Sequence, residues 1–228
     1  YMQGIFYNIR SGVGGDAGAG ILSIPPSTPG AIAIDSSSIY WLDEGTTPSN
    51  GAVYQMLKQG GPPVLLAQMR SAPAAITVHG NYVYWVDHGT NKADGTVNMV
   101  AKGGGVVVAL AQGESLPQGI AVDDNRVYWT DSSNPGAVKS VPNAVPDGGL
   151  ATPTVLAANQ GSPFGVTVDS QLVYWTNVDG GNVQKIPVQG GTPYTLASDQ
   201  NNPTAITNDA LNVYWANRGG GSIYKIAK

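Results

Sequence analysis

The chain has 228 residues, a net charge of −4, only 11% charged residues, 31 glycines and 16 prolines. That length holds one large β domain or two small ones, and the glycine and proline content suits short strands and tight turns better than packed helices. Scattered basic residues exclude a nucleic-acid footprint, no apolar run approaches the roughly 20 residues of a bilayer span, and the absence of cysteine excludes disulfides and thiol catalysis.

In chain order, the sequence starts at Tyr1 without an apolar leader, which reads as a processed form. Residues 1–19 read as an N-terminal arm. Its "GIFYNIRSGVGG" (4–15) has the pattern of a strand and a Gly-rich turn, with Ile5, Phe6, Tyr7 and Ile9 as a candidate assembly strand. From residue 20 a single repeat domain runs to 228. "GILSI" (20–24) reads as a fourth strand, because Leu22 stands seven residues before Pro29. Leu66, Leu110, Leu156 and Leu196 stand seven before Pro73, Pro117, Pro163 and Pro203.

Each of those prolines opens a unit. Six residues later come Asp35, His79, Asp123, Asp169 and Asp209, and a turn-capping role is expected for all five. All five tryptophans then follow tyrosines, in Tyr40-Trp41, Tyr84-Trp85, Tyr128-Trp129, Tyr174-Trp175 and Tyr214-Trp215. Two residues beyond each tryptophan stand Asp43, Asp87, Asp131, Asn177 and Asn217. A third strand follows ("GAVYQMLK", "GTVNMVAK", "GAVKSVP", "GNVQKIP", "GSIYKIAK"). After a Gly-rich turn comes a fourth, as in "VLLAQ" or "TVLAAN".

A repeat of 40–46 residues built from four short strands is the signature of a propeller blade. Strand side chains alternate faces, so each Tyr-Trp pair can fill the space on both sides of its blade. The sequence therefore predicts an all-β propeller of four-stranded antiparallel blades. Five blades are expected, with 20–24 joining the C-terminal blade as a composite closing blade. The alternative is six, in which "ILSIP" resembles the third strand "VKSVP" and Phe6-Tyr7 is a degenerate Tyr-Trp pair. That blade would lack its first and fourth strands, leaving backbone groups unpaired.

"GIAVDDNRVYWTD" (119–131) resembles the low-density-lipoprotein-receptor-type YWTD β-propellers and their bacterial relatives, the other copies reading YWLD, YWVD, YWTN and YWAN. The resemblance implies that Tyr128, Trp129, Thr130 and Asp131 are structural and perform no catalysis. The family usually has six blades and is flanked by cysteine-rich modules, so its partners do not carry over to this cysteine-free chain.

Glutamate occurs only at Glu44 and Glu114, and histidine only at His79 and His88. No nucleophile–base constellation, zinc spacing or phosphate-binding glycine loop is recognisable, so no enzyme, metal or cofactor is expected. The oxygens of Asp87, Asn91 and Asp94 match no calcium-loop spacing. A candidate ligand rim on one face of the ring comprises Glu44, Arg70, His88, Glu114, Gln118, Phe164, Thr204 and Arg218. The reading is a secreted, extracellular or periplasmic module that binds a protein partner or further copies of itself through the N-terminal arm. The alternatives are a lyase or hydrolase, or a sugar-binding propeller, and a small-molecule or sugar ligand at the rim stays open.

Overall fold

In a computed structural model, residues 6–8, 19–21, 28–91, 93–144 and 150–228 are described. Each repeat forms one antiparallel sheet. The first blade comprises β3 (Pro29–Ile34), β4 (Ser38–Asp43), β5 (Gly51–Leu57) and β6 (Val64–Arg70). The second comprises β7 (Pro73–His79), β8 (Tyr82–Asp87), β9 (Gly95–Ala101) and β10 (Val108–Glu114). The third comprises β11 (Pro117–Val122), β12 (Arg126–Asp131), β13 (Gly136–Pro142) and β14 (Thr154–Gln160). The fourth comprises β15 (Pro163–Val168), β16 (Leu172–Asn177), β17 (Asn182–Pro187) and β18 (Tyr194–Ala197). The fifth has three described strands, β19 (Pro203–Asn208), β20 (Asn212–Asn217) and β21 (Ser222–Ala227). The described residues form an all-β propeller fold with five blades. No helix long and apolar enough to cross a membrane occurs among the described residues.

The closing strand expected from 20–24 is not among the described pairings. β2 (Ala19–Ile21) pairs with β1 (Phe6–Asn8) in a separate two-stranded sheet, not with β21. Residues 22–24, and the arm positions Ile5 and Ile9, lie outside the described residues.

Neighbouring blades pack through the Tyr-Trp columns. Tyr40, Leu42 and Val53 of the first blade meet Ile76, Val83 and Trp85 of the second. Tyr84, Val86 and Val97 meet Ile120, Val127 and Trp129, and Tyr128, Val138 and Leu156 meet Val166, Val173 and Trp175. At these three junctions the tyrosine faces the next blade and the tryptophan the previous one, as period-two alternation requires. The first strands β3, β7, β11, β15 and β19 lie side by side in that order and line the central channel.

Along the channel two columns vary together. Where the position after Trp is threonine, the first strand carries glycine. Thr130 Oγ1 accepts from the Gly119 amide at 2.8 Å and donates to the Phe164 carbonyl of the next blade at 2.6 Å. Thr176 does the same with the Gly165 amide (3.0 Å) and the Thr204 carbonyl (2.7 Å). A Cβ at Gly119 or Gly165 would stand 2.4 Å from that neighbouring carbonyl, so backbone would have to move. The copies with Leu42, Val86 and Ala216 instead carry Ala31, Ala75 and Ala205. We therefore expect Gly165→Ala to lower stability by about 1–3 kcal/mol, as overpacking does. Ala75→Gly should cost under about 1 kcal/mol, the ordinary price of strand glycine. Urea unfolding of the two variants checks the contrast.

The first turn is capped by the aspartate column in four of the five blades. Asp123 accepts from the amides of Asn125 (2.8 Å) and Arg126 (2.7 Å) and from Tyr128 Oη (2.8 Å). Asp35, Asp169 and Asp209 repeat this set. Burial disfavours the Asp169 charge, but Lys228 and the turn amides outweigh it and hold its pKa down at about 2. His79 departs from the expected capping role. Its turn is shorter, with His79 paired directly to Tyr82 and Gly80 at φ +52°. The imidazole reaches instead to Asp124 Oδ1 of the next blade at 2.9 Å.

Candidate functional site at the channel mouth

Antiparallel strands place the loops that follow the Tyr-Trp strands and the loops that precede the opening prolines on one face. They are clasped there by a recurring backbone bond. The amide after the motif donates to the residue before the proline: Glu44 to Thr28 (2.8 Å), His88 to Ala72 (3.0 Å), Ser132 to Leu116 (3.0 Å), Val178 to Ser162 (3.0 Å) and Arg218 to Asn202 (2.9 Å). Ala72, Leu116, Ser162 and Asn202 hold left-handed backbone to make it, with φ between 53° and 68°. Such conformations are uncommon for residues other than glycine, and the prolines that follow, Pro73, Pro117 and Pro163, pack on Gly51, Gly95 and Gly136 at the start of the preceding blade's third strand.

This clasp brings three of the candidate rim residues together. Glu44, His88 and Gln118, from three successive blades, line an open depression of about 410 Å³ with Thr46, Thr47 and Pro73. His88 Nε2 is hydrogen-bonded to Gln118 Oε1, while Glu44 is exposed and lies over Gly30, where a Cβ would stand 2.7 Å from its carboxylate. Gln118 also borders the channel proper, where Phe164 joins it. The Thr204 carbonyl is taken up by Thr176, and Arg218 is exposed on the last blade.

Arg70 and Glu114 are not rim residues. They stand three positions before the opening proline and turn into the blade, in a column that continues with Gln160 and Gln200. Glu114 Oε2 accepts from the Trp129 indole at 3.0 Å and from Lys139 at 2.8 Å, and Lys139 also reaches Asp131 at 2.8 Å. Gln160 accepts from Trp175 (3.0 Å) and Asn177 (2.9 Å), and Gln200 from Trp215 (2.9 Å) and Asn217 (3.0 Å). Arg70 lies over the Trp85 ring at 5.4 Å and pairs with Asp87, which also accepts from Thr96 and Asn98. Burial raises the Asp87 pKa against the pull of Arg70. An arginine can only donate, and the Trp85 indole finds no acceptor among the described residues.

These contacts account for the last motif residue in four copies, while Asp43 of the first accepts from Thr28 and from the Gly45 amide. Asp87 and Asp131 face a cation, whereas Asn177 and Asn217 face a glutamine. Sequence reading missed this column, although the spacing to the motif residue is 17 in every case, and the match of charge with charge and amide with amide was visible. The potential calcium loop is not assembled either. Asp87 is turned inward, while Asp94 accepts from the Thr90 and Asn91 amides, both at 3.0 Å.

Neither a protein-family model nor a curated protein matches the sequence. Solved structures do. A structure of a nidogen/laminin complex matches with a TM-score of 0.72 and 22% identity, covering 92% of this chain and 80% of that one. The PQQ-bound form of aldose sugar dehydrogenase from Streptomyces coelicolor matches with a TM-score of 0.66 and 14% identity, covering 92% and 85%. These likenesses establish the β-propeller fold that the YWTD-like repeats imply.

Proposed function

We propose that the protein is a non-catalytic, secreted binding propeller that recognises a protein partner at the channel mouth. The observation that carries this is the grouping of Glu44, His88 and Gln118 around one open depression, while Arg70 and Glu114 are committed to blade interiors. One exposed carboxylate, an imidazole already engaged by an amide, and proline and threonine walls form a recognition surface. They do not form a nucleophile with its base. The nidogen likeness is to a propeller solved in a complex with laminin, which fits protein recognition. An Asn-, Gln-, Thr- and Gly-rich acidic chain without cysteine fits an extracellular or periplasmic setting.

The test is a binding survey of immobilised extracellular proteins, laminin included, by surface plasmon resonance with wild type and the double variant Glu44→Ala/Gln118→Ala. At least a tenfold loss of affinity at unchanged melting temperature is expected for any protein that wild type binds. Aldose oxidation by wild type with added PQQ, abolished in the same double variant, would overturn the reading in favour of an enzyme like the second neighbour.

A further inference from the structure

On the face opposite the channel mouth, a recurring backbone bond fixes the register of each blade. The amide just past the third strand donates to the carbonyl just before the second: Lys58 to Ser37, Lys102 to Asn81, Asn143 to Asn125, Val188 to Gln171 and Lys228 to Leu211. These five donors are therefore equivalent positions. From there a lysine reaches the preceding blade. Lys102 Nζ lies 2.7 Å from the Asp35 carboxylate and 6.0 Å from the centre of the Tyr40 ring. Lys228 Nζ lies 2.6 Å from Asp169 and 5.4 Å from the centre of the Tyr174 ring. Val188 packs instead on the core between the third and fourth blades.

The junction of the second and third blades has neither half of this ion pair. His79 stands where the other blades carry aspartate, and Asn143 stands where a lysine would come, its amide committed to the Asp123 carbonyl at 2.9 Å. Between them is an open cavity of about 330 Å³ whose lining includes Tyr82, Tyr84, Met99 and Asp124. The other four motif tyrosines donate their hydroxyls to the aspartate column, whereas Tyr84 has no such acceptor among the described residues. The Tyr82 and Tyr84 rings stand 6.3 Å apart at 58°, as two walls of a corner. Tyr82 is 41% exposed, at a position held by Ser38, Arg126, Leu172 and Asn212 in the other copies. At the rim, Asp124 is hydrogen-bonded to His79 at 2.9 Å with its side chain 92% exposed.

We propose that this cavity binds a primary alkylammonium ion, in the place that Lys102 and Lys228 take at their own junctions. The head bonds to the Asp124 carboxylate, which His79 orients, and the stem lies against Met99 and Tyr82. An ammonium only donates, its alkyl stem is apolar, and tyrosine rings attract a cation near their faces. The lining matches each of these needs. Its carboxylate is Asp124, and among the described residues no lysine or arginine lines the cavity to oppose a cation. The same chemistry comes from a free alkylamine or from a lysine side chain of a protein. The site is separate from the channel-mouth depression and does not depend on its function.

The probes are n-pentylamine and an end-blocked Gly-Gly-Lys-Gly-Gly peptide, titrated into the full chain at pH 8 and followed by the methyl NMR signal of Met99. We expect a saturable shift with both, and binding at least tenfold weaker for n-pentanol, the uncharged analogue. Asp124→Asn should weaken amine binding at least tenfold. Asn143→Lys supplies the ammonium from the chain itself, so it should abolish binding and raise the melting temperature. Asp124 is exposed, so Asp124→Asn keeps the test decisive even where Asn143→Lys fails to fold. Tighter binding of the peptide assigns the site to a partner protein's lysine, and tighter binding of pentylamine assigns it to a free amine; either supports the proposal. No saturable shift with either probe, pentanol binding as well as pentylamine, or binding indifferent to Asp124→Asn would overturn it.

Discussion

Replacing Trp129 with alanine is expected to destabilise the protein by about 3–5 kcal/mol, the range for deleting a buried large aromatic. Trp129 is fully buried between the second and third blades, against Tyr84, Val97 and Leu110. The truncation removes this inter-blade area and withdraws the indole N–H from Glu114 in the blade interior. Trp129→Phe separates the two contributions. It keeps most of the packing and loses the hydrogen bond, so it should cost less than the alanine variant. Urea unfolding by intrinsic fluorescence and by circular dichroism measures both. A cost below about 1 kcal/mol for the alanine variant would refute the assignment of this column to the core.

The second large effect is expected at Lys139. Its ammonium lies 2.8 Å from both Glu114 and Asp131, two carboxylates almost wholly buried. Burial opposes its charge, but hydrogen bonds to Asp131 and Glu114 prevail and raise its pKa above the ordinary lysine value. A raised folded-state pKa means that this stabilisation is complete at neutral pH and is lost only as alkali titrates the folded lysine. Lys139→Met leaves two carboxylates facing each other without a cation, at a cost of about 3–5 kcal/mol at pH 7. Lys139→Arg keeps a cation between the two carboxylates and should recover most of that loss. Paired urea titrations of the two variants at pH 7 test the assignment. Equal losses in both would show that the lysine is not the counter-ion.

The repeat made the fold legible, because each Tyr-Trp pair reports an inside-facing position five times over. The fates of Tyr40, Tyr84 and Tyr128 against Trp85, Trp129 and Trp175 follow from strand alternation alone. Sequence position was less informative for loops. Arg70 and Glu114 lie just before the mouth and are charged, so they read as rim residues. Their inward direction comes from the bulges of the fourth strands, where register shifts separate them from the leucine column. His79 occupies an aspartate column but sits in a shorter turn set by Gly80, which removes the cap. Glu44, His88 and Gln118 were each identifiable as rim positions. That they converge, while Phe164, Thr204 and Arg218 do not join them around the depression, depends on which blades adjoin.

The threonine bridges at Thr130 and Thr176 give the molecule an uneven internal grain. They tie the third, fourth and fifth blades through polar links to neighbouring first strands, whereas the equivalent positions Leu42, between the first and second blades, and Val86, between the second and third, make apolar contacts. At the last two junctions these hydroxyl-to-carbonyl bonds set the direction as well as the spacing of neighbouring first strands, a directional tie that apolar contact alone does not supply.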